Sequence, residues 1–111
     1  MAVVAVPHRF EVWLINLDPT QGSEINKTRP CLVISPDELN RHLRTVTIAA
    51  LTSSQRAYPS RVDCDFQSKA EQVALDHIRS VDKTRLVRKL GALDAATAQT
   101  VCARLVELFQ Y

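Results

Sequence analysis

Between Phe10 and Leu17 the chain reads Phe-Glu-Val-Trp-Leu-Ile-Asn-Leu, and both of its alternating sets of side chains are apolar. Phe10, Val12 and Leu14 would share one face of a strand; Trp13, Ile15 and Leu17 would share the other. A strand with one wet face shows apolar and polar residues in turn. This one needs cover on both sides, so it belongs inside a packed domain. Asp18-Pro19 ends it in a turn. The chain has 111 residues, a length that suits one domain rather than two. A single domain spanning residues 1–111 is expected.

The polar run from Pro19 to Thr28, with Gly22 inside it, reads as a loop between strands. Pro30 then opens a second strand, Cys31 to Ser35, proline being tolerated at a strand's first residue. Ser35-Pro36-Asp37-Glu38 has the pattern of a helix start: Ser35 as cap, Pro36 at the first helical position, Glu38 closing a capping box. That helix should end near His42. Thr45 to Leu51 reads as a third strand, and Arg61–Phe66 and Glu71–Val81 as two or three more. Val81-Asp82-Lys83 looks like the start of a short helix to about Lys89, with Gly91 as its C-terminal cap. Asp94 caps a longer helix to about Phe109. Its apolar residues Ala98, Val101, Cys102, Leu105, Leu108 and Phe109 recur every three or four positions, as on one face packed against a sheet. The outline is a mainly β, strongly curved antiparallel sheet with short helices and a C-terminal packing helix. Closing part of the sheet into a barrel removes exposed edges.

Charge says little about partners. Fourteen Lys and Arg stand against twelve Asp and Glu, a net charge of +2, which permits an RNA partner without arguing for one. Cys31, Cys64 and Cys102 are odd in number and far apart, with no CxxC. Cys31 and Cys102 read as small buried hydrophobes in a reducing, cytosolic setting. The apolar stretch before Pro7 is short and has no basic residue ahead of it, unlike a signal peptide. No apolar stretch approaches the roughly 20 residues that span a membrane. There is no glycine-rich phosphate loop, no HExxH and no GxSxG. His8, His42 and His77 stand apart from one another and from the cysteines, so no metal site is expected. Arg29 and Thr52 sit where loops leave strands, a favourable place for a site. Alone, each is ordinary: an arginine before a strand is usually a solvated charge, and a threonine at a strand end usually closes a turn.

Several segments in order change that reading. Val12-Trp13-Leu14-Ile15-Asn16-Leu17-Asp18-Pro19 resembles the opening strand of the MazF/PemK family. Gly22-Ser23-Glu24, followed by Arg29-Pro30-Cys31-Leu32-Val33, resembles that family's GxE loop and RPxxV strand. Leu51-Thr52-Ser53 resembles its hydroxyl-bearing strand end, and Val73 to Lys83 its late strand and helix start. Each motif is short, but their order and spacing cover roughly residues 8 to 109. The resemblance implies an SH3-like or CcdB-like, partly open antiparallel barrel that forms a homodimer. It implies the toxin of a type II toxin–antitoxin pair: a cytoplasmic endoribonuclease that cuts single-stranded RNA, leaving a 2′,3′-cyclic phosphate and a 5′-hydroxyl. No metal or cofactor is implied, and the antitoxin's flexible acidic tail is expected to block the RNA groove.

Carried over by position, the family's essential arginine falls on Arg29 and its hydroxyl residue on Thr52, with Ser23 and Glu24 as loop residues beside them. Ser53 follows Thr52 in the same motif. Many members have glutamine where this chain has His77, which bears on base contact. Imidazole chemistry near neutrality makes His77 a candidate proton carrier, beside the plainer role of hydrogen-bonding a base. Arg79 and Lys83 are candidates for phosphate contacts, as are Arg85, Arg88 and Lys89. Tyr58, in a polar loop before Pro59, is the best placed aromatic to stack on a base. A gyrase-binding toxin of the CcdB type is the alternative, but the end Glu107-Leu108-Phe109-Gln110-Tyr111 lacks that family's Trp-Gly-Ile tail. A catalytically inactive binding protein of the same fold is the other alternative.

Overall fold

A computed structural model describes residues 6–111. The apolar segment at the start of the chain, read above as unlike a signal peptide, lies largely outside the described residues. The elements run β1 (Glu11–Asn16), β2 (Thr28–Val33), α1 (Asp37–His42), β3 (Thr45–Thr52), β4 (Arg61–Phe66), β5 (Lys69–Asp82), a 3₁₀ turn (Lys83–Arg85), β6 (Leu86–Ala92) and α2 (Ala95–Phe109). Among the described residues, six strands form one sheet in the order β4-β5-β3-β2-β1-β6, and every pairing is antiparallel. The sheet is curled and half closed, as expected from the need to limit exposed edges.

The two apolar sets on β1 go to two separate cores. Val12 joins Leu32, Ala49, Leu51, Val73 and Leu75 under α2, with Phe10 packed against them. Ile15 and Leu17 join Cys31, Val33, Val46, Ile48 and Ala50 on the opposite face, with Trp13 beside them. No long helix among the described residues covers that second face. Its cover includes Ile25, from the loop between β1 and β2.

Three local expectations change. β2 starts at Thr28, so Pro30 is its third residue, paired with Leu14. β3 pairs with β2 only over Cys31–Val33. Thr28–Pro30 is therefore a local edge, where a proline is tolerated. Ser35 is not a helix cap: α1 has Pro36 in that place and no side-chain cap bond. Ser35 instead forms a buried knot with Asn40, Oγ to Oδ1 at 2.6 Å and Asn40 Nδ2 to the Ser35 carbonyl at 2.9 Å. The helix expected from Val81 to Lys89 is one 3₁₀ turn followed by β6. Asp82 caps that turn through Thr84, but the chain is then drawn into pairing with β1. Gly91 lies within β6 and packs under Phe66 rather than closing a helix.

The α2 stripe holds in part. Asp94 accepts from the Thr97 amide as a cap, and Ala98 and Val101 are buried. Leu105 is half-buried against the core. Cys102 is half-buried, and Phe109 is 73% exposed, because the helix runs past the sheet. The core contribution of α2 thus comes from its first turns. Val101→Ala should cost about 2 kcal/mol of unfolding free energy, as truncation of a sealed core residue does. Val106→Ala, on the solvent side, should stay within about 0.5 kcal/mol of wild type. Urea denaturation of the two variants measures the contrast.

Candidate active site

The candidate site begins with how β2 meets β3. Cys31 is opposite Ala50, and Val33 is opposite Ile48. Continuing that register by two residues sets Arg29 across from Thr52. Side chains alternate along a strand, so Arg29 shares a face with Cys31 and Val33, and Thr52 shares one with Ile48 and Ala50. This is the second core's face. Here the strands part and their ends border the loops that follow.

Arg29 is half-buried. Its Nε donates to the Asn26 carbonyl at 2.9 Å, which holds the guanidinium by its inner nitrogen and leaves the terminal fork open among the described residues. Thr52 is buried, and its Oγ1 accepts from the Ser54 amide at 3.1 Å. Its hydroxyl hydrogen is therefore available for donation. Arg79 reaches across from β5, with Nη1 to the Leu17 carbonyl at 2.8 Å. Arg29 and Arg79 both act on the Cys31 thiol. Burial pushes that thiol up to about 12, while the two guanidinium groups pull the other way. The thiol stays protonated and is a packing group.

A cleft of about 360 Å³ opens on this face. Leu17, Glu24 and Ile25 form one wall, Ile48 and Ala50 the floor, and Asp76, His77, Ile78 and Arg79 the other wall. The β5 wall owes its shape to an irregularity. Ala49 pairs with Ile78 and Leu51 with Val73, so two steps on β3 face five on β5, three more than regular pairing allows. Bulges of this kind bend a strand and re-aim its side chains. Here the extra residues include Asp76 and His77, which follow the apolar run Val73-Ala74-Leu75.

Asp76 is the centre of a network that the sequence reading missed. Arg61 donates to it through Nε at 2.8 Å and Nη2 at 3.2 Å, and Ser60 Oγ donates at 2.9 Å. Its Oδ2 lies 3.5 Å from His77 Nε2. Burial opposes ionisation of Asp76, but the Arg61 and Ser60 hydrogen bonds outweigh it and hold the carboxyl at about 2.

The other sequence candidates are not all brought together. Ser23 is exposed in the loop that carries Glu24, where Gly22 takes a positive φ of 54°. Ser53 is exposed just past Thr52. Tyr58 is half exposed, its ring 5.5 Å from the Arg61 guanidinium carbon, and it does not line the cleft. Lys83 departs most from expectation. It is 9% exposed, and its Nζ donates to the Asn40 carbonyl, clasping α1. It borders a different cavity, with Arg41, His42 and Arg44. Arg85 bonds the Asn16 and Asp18 carbonyls, and Lys89 pairs with Glu11 at 2.9 Å. Among the described residues, no three His, Cys, Asp or Glu side chains gather as metal ligands would, and no helix is long and apolar enough to cross a membrane.

Residues 8–109 match the family described as PemK-like, MazF-like toxin of type II toxin-antitoxin system. The chain is 34% identical over 103 residues to endoribonuclease MazF9 of Mycobacterium tuberculosis, across 79% of this chain and 83% of that protein. Its structure is similar to that of MazF from Deinococcus radiodurans, with a TM-score of 0.84 and 28% identity over 96% of this chain and 99% of the other. It is also similar to an endoribonuclease in complex with its cognate antitoxin from a mycobacterial species, with a TM-score of 0.77 and 25% identity over 91% and 92%.

The depressed Asp76 carboxyl has a consequence for stability. A carboxyl held below its ordinary value of 3.8 contributes stability above that value, which is lost as pH falls toward about 2. Wild type should therefore exceed Asp76→Asn in denaturant midpoint at neutral pH, and the gap should close on acidification through that window. A gap independent of pH would place the effect of the substitution in packing instead.

Proposed function

The chain belongs to the PemK-like, MazF-like toxin family of type II toxin–antitoxin systems, and from that premise we propose that it is an endoribonuclease that cuts single-stranded RNA at the cleft between Glu24 and Arg79. The observation that carries this reading is the Cys31–Ala50 pair of β2 and β3, two residues beyond which, on the same face as the cleft floor residue Ala50, stand Arg29 and Thr52. The reaction is attack of the ribose 2′-oxygen on phosphorus. The new O2′–P bond replaces the P–O5′ bond, the 2′-hydroxyl proton is lost, and the 5′-oxygen leaves with a proton. The products are a 2′,3′-cyclic phosphate and a 5′-hydroxyl.

Arg29 stabilises the charge that gathers on the non-bridging oxygens. Its terminal nitrogens form a planar fork suited to two of them, and its Nε bond to Asn26 pre-sets the fork's direction. Donors held in place before the reaction cost no reorganisation during it. Thr52 donates its free hydroxyl hydrogen to the same oxygens or orients the 2′-hydroxyl. Arg79 adds a second cation at the cleft wall, Ser23 and Ser53 add neutral donors at its mouth, and Glu24 and His77 meet the base. Family membership supports a homodimer in the cytoplasm and an antitoxin whose acidic tail lies along the two arginines.

The test is long single-stranded RNA incubated in EDTA, with the fragment ends sequenced. Discrete cuts bearing cyclic phosphate and 5′-hydroxyl ends are expected. Arg29→Ala should slow cleavage by at least about 100-fold, the usual cost of a charge-stabilising donor. Equal cleavage by the variant removes Arg29 from the mechanism. No cleavage by wild type turns the reading toward a gyrase-binding or inactive protein.

A further inference from the structure

The segment from Ser53 to Ser60 has no regular structure, yet polar side chains fasten it at nearly every step. The Gln72 amide, buried on β5, both accepts from the Arg56 amide at 3.0 Å and donates to the Arg56 carbonyl at 3.1 Å. Gln72 is also the pairing partner of Thr52. Arg61 Nη1 donates to the Ser54 carbonyl at 3.1 Å and lies 3.4 Å from Gln72 Oε1. The Arg61 guanidinium stands beside the Tyr58 ring. Its other two nitrogens grip Asp76 in the bidentate manner already described, and Ser60 bonds the same carboxylate. The Arg61 side chain is only 8% exposed. A buried guanidinium is expensive unless its donors are satisfied, and here the partners are the loop on one side and the cleft wall on the other.

We propose that the Arg61–Asp76 pair is a positioning device for substrate selection. It ties the Ser53–Ser60 loop, with Ser53 and Tyr58 on it, to the bulged stretch of β5 that carries His77 into the cleft. Neither residue touches the scissile phosphate. One carboxylate oxygen of Asp76 accepts from Ser60 and from Arg61 Nε, while the other accepts from Arg61 Nη2 and faces His77. Asp76 thus joins the end of the loop, at Ser60 and Arg61, to the His77 ring, while Gln72 holds the loop's middle at Arg56. A base at the His77 wall of the cleft and a neighbouring nucleotide running out over the Ser53–Ser60 loop, which lies beyond the cleft lining, meet groups set relative to each other. Loosening the pair leaves Arg29 and Thr52 where the β2–β3 register puts them and blurs the choice of base. This inference rests on the reading of the cleft as an RNA site.

Arg61→Lys tests it, because lysine keeps the charge and loses the planar fork. Two readouts separate the possible failures. The first needs no RNA: hydrogen exchange of the Ser53–Ser60 amides in the full chain should quicken in the variant, while the amides of β2 and α2 keep their wild-type rates. Unchanged loop exchange overturns the clamp itself. The second is the ratio of kcat/KM at the preferred cleavage sequence to that at a sequence with one base changed. That ratio should fall by at least about tenfold, the scale of one lost base contact. Val101→Ala, destabilised through the core and distant from the cleft, should keep the wild-type ratio. A wild-type ratio in Arg61→Lys, with quickened loop exchange, overturns the role in selection and leaves the RNA site standing. Absence of RNA cleavage by wild type overturns the site reading and this inference together, while the exchange result still judges the clamp.

Discussion

The pairing of β2 with β3 lasts three residues, and the site depends on it. Cys31 against Ala50 is the last pair, and side-chain alternation puts Arg29 and Thr52, two residues beyond it on each strand, on the same face. A slip of one residue would turn every side chain of a strand to the opposite face, sending Arg29 toward the core under α2. The register is held from both sides. Leu32 and Ala49 are sealed in one core, and Cys31, Val33, Ile48 and Ala50 in the other. An arginine is placed accurately here because its apolar neighbours leave its strand no other alignment.

The same two-core arrangement explains why a cleft exists. The first face of the sheet is covered by α2, a regular element that fills its space. The second is covered partly by an irregular loop, which holds its position through strand-borne and turn-borne arginines. Arg79 bonds the Leu17 carbonyl, and Arg85 bonds those of Asn16 and Asp18. Backbone carbonyls at the loop's start thereby find donors that no sheet provides. The gap between this loop and the bulged β5 is the cleft. Arg79 lines the cleft with Glu24, His77 and an Asp76 already paired to Arg61, whereas Asp63, Asp65, Glu71 and Asp94 gather around a separate hollow by the β4–β5 hairpin.

Much of the fold was legible because the relevant signals are local. Alternation found β1, β3 and β4 nearly to the residue, and Asp94 marked the start of α2. Failures came where a distant partner decided the outcome. Leu86–Ala92 follows a good helix cap at Asp82 but pairs with β1, near the other end of the chain. Lys83 looked like a surface cation, and only the packing of α1 shows that its ammonium is committed to the Asn40 carbonyl. Of the site, Arg29 and Thr52 stood out through a family resemblance, since neither is unusual by itself. Arg61 and Asp76 went unnoticed because their pairing spans 15 positions and depends on β4–β5 register. The hint in the sequence was Asp76-His77, two polar residues that break off the apolar run Val73-Ala74-Leu75.

The central claim is that single-stranded RNA lies in the cleft with its scissile phosphate between Arg29 and Thr52. Its most direct test is an NMR titration with an oligonucleotide containing the cleavage sequence and a 2′-deoxy nucleotide at the scissile step, which binds without being cut. The account predicts that the largest shifts fall on Ser23, Glu24, Arg29, Thr52, Ser53, His77 and Arg79, with α2 and the acidic hollow by β4 silent. Shifts centred on the cavity beside Lys83, Arg41 and Arg44, with Arg29 and Thr52 unmoved, would contradict it.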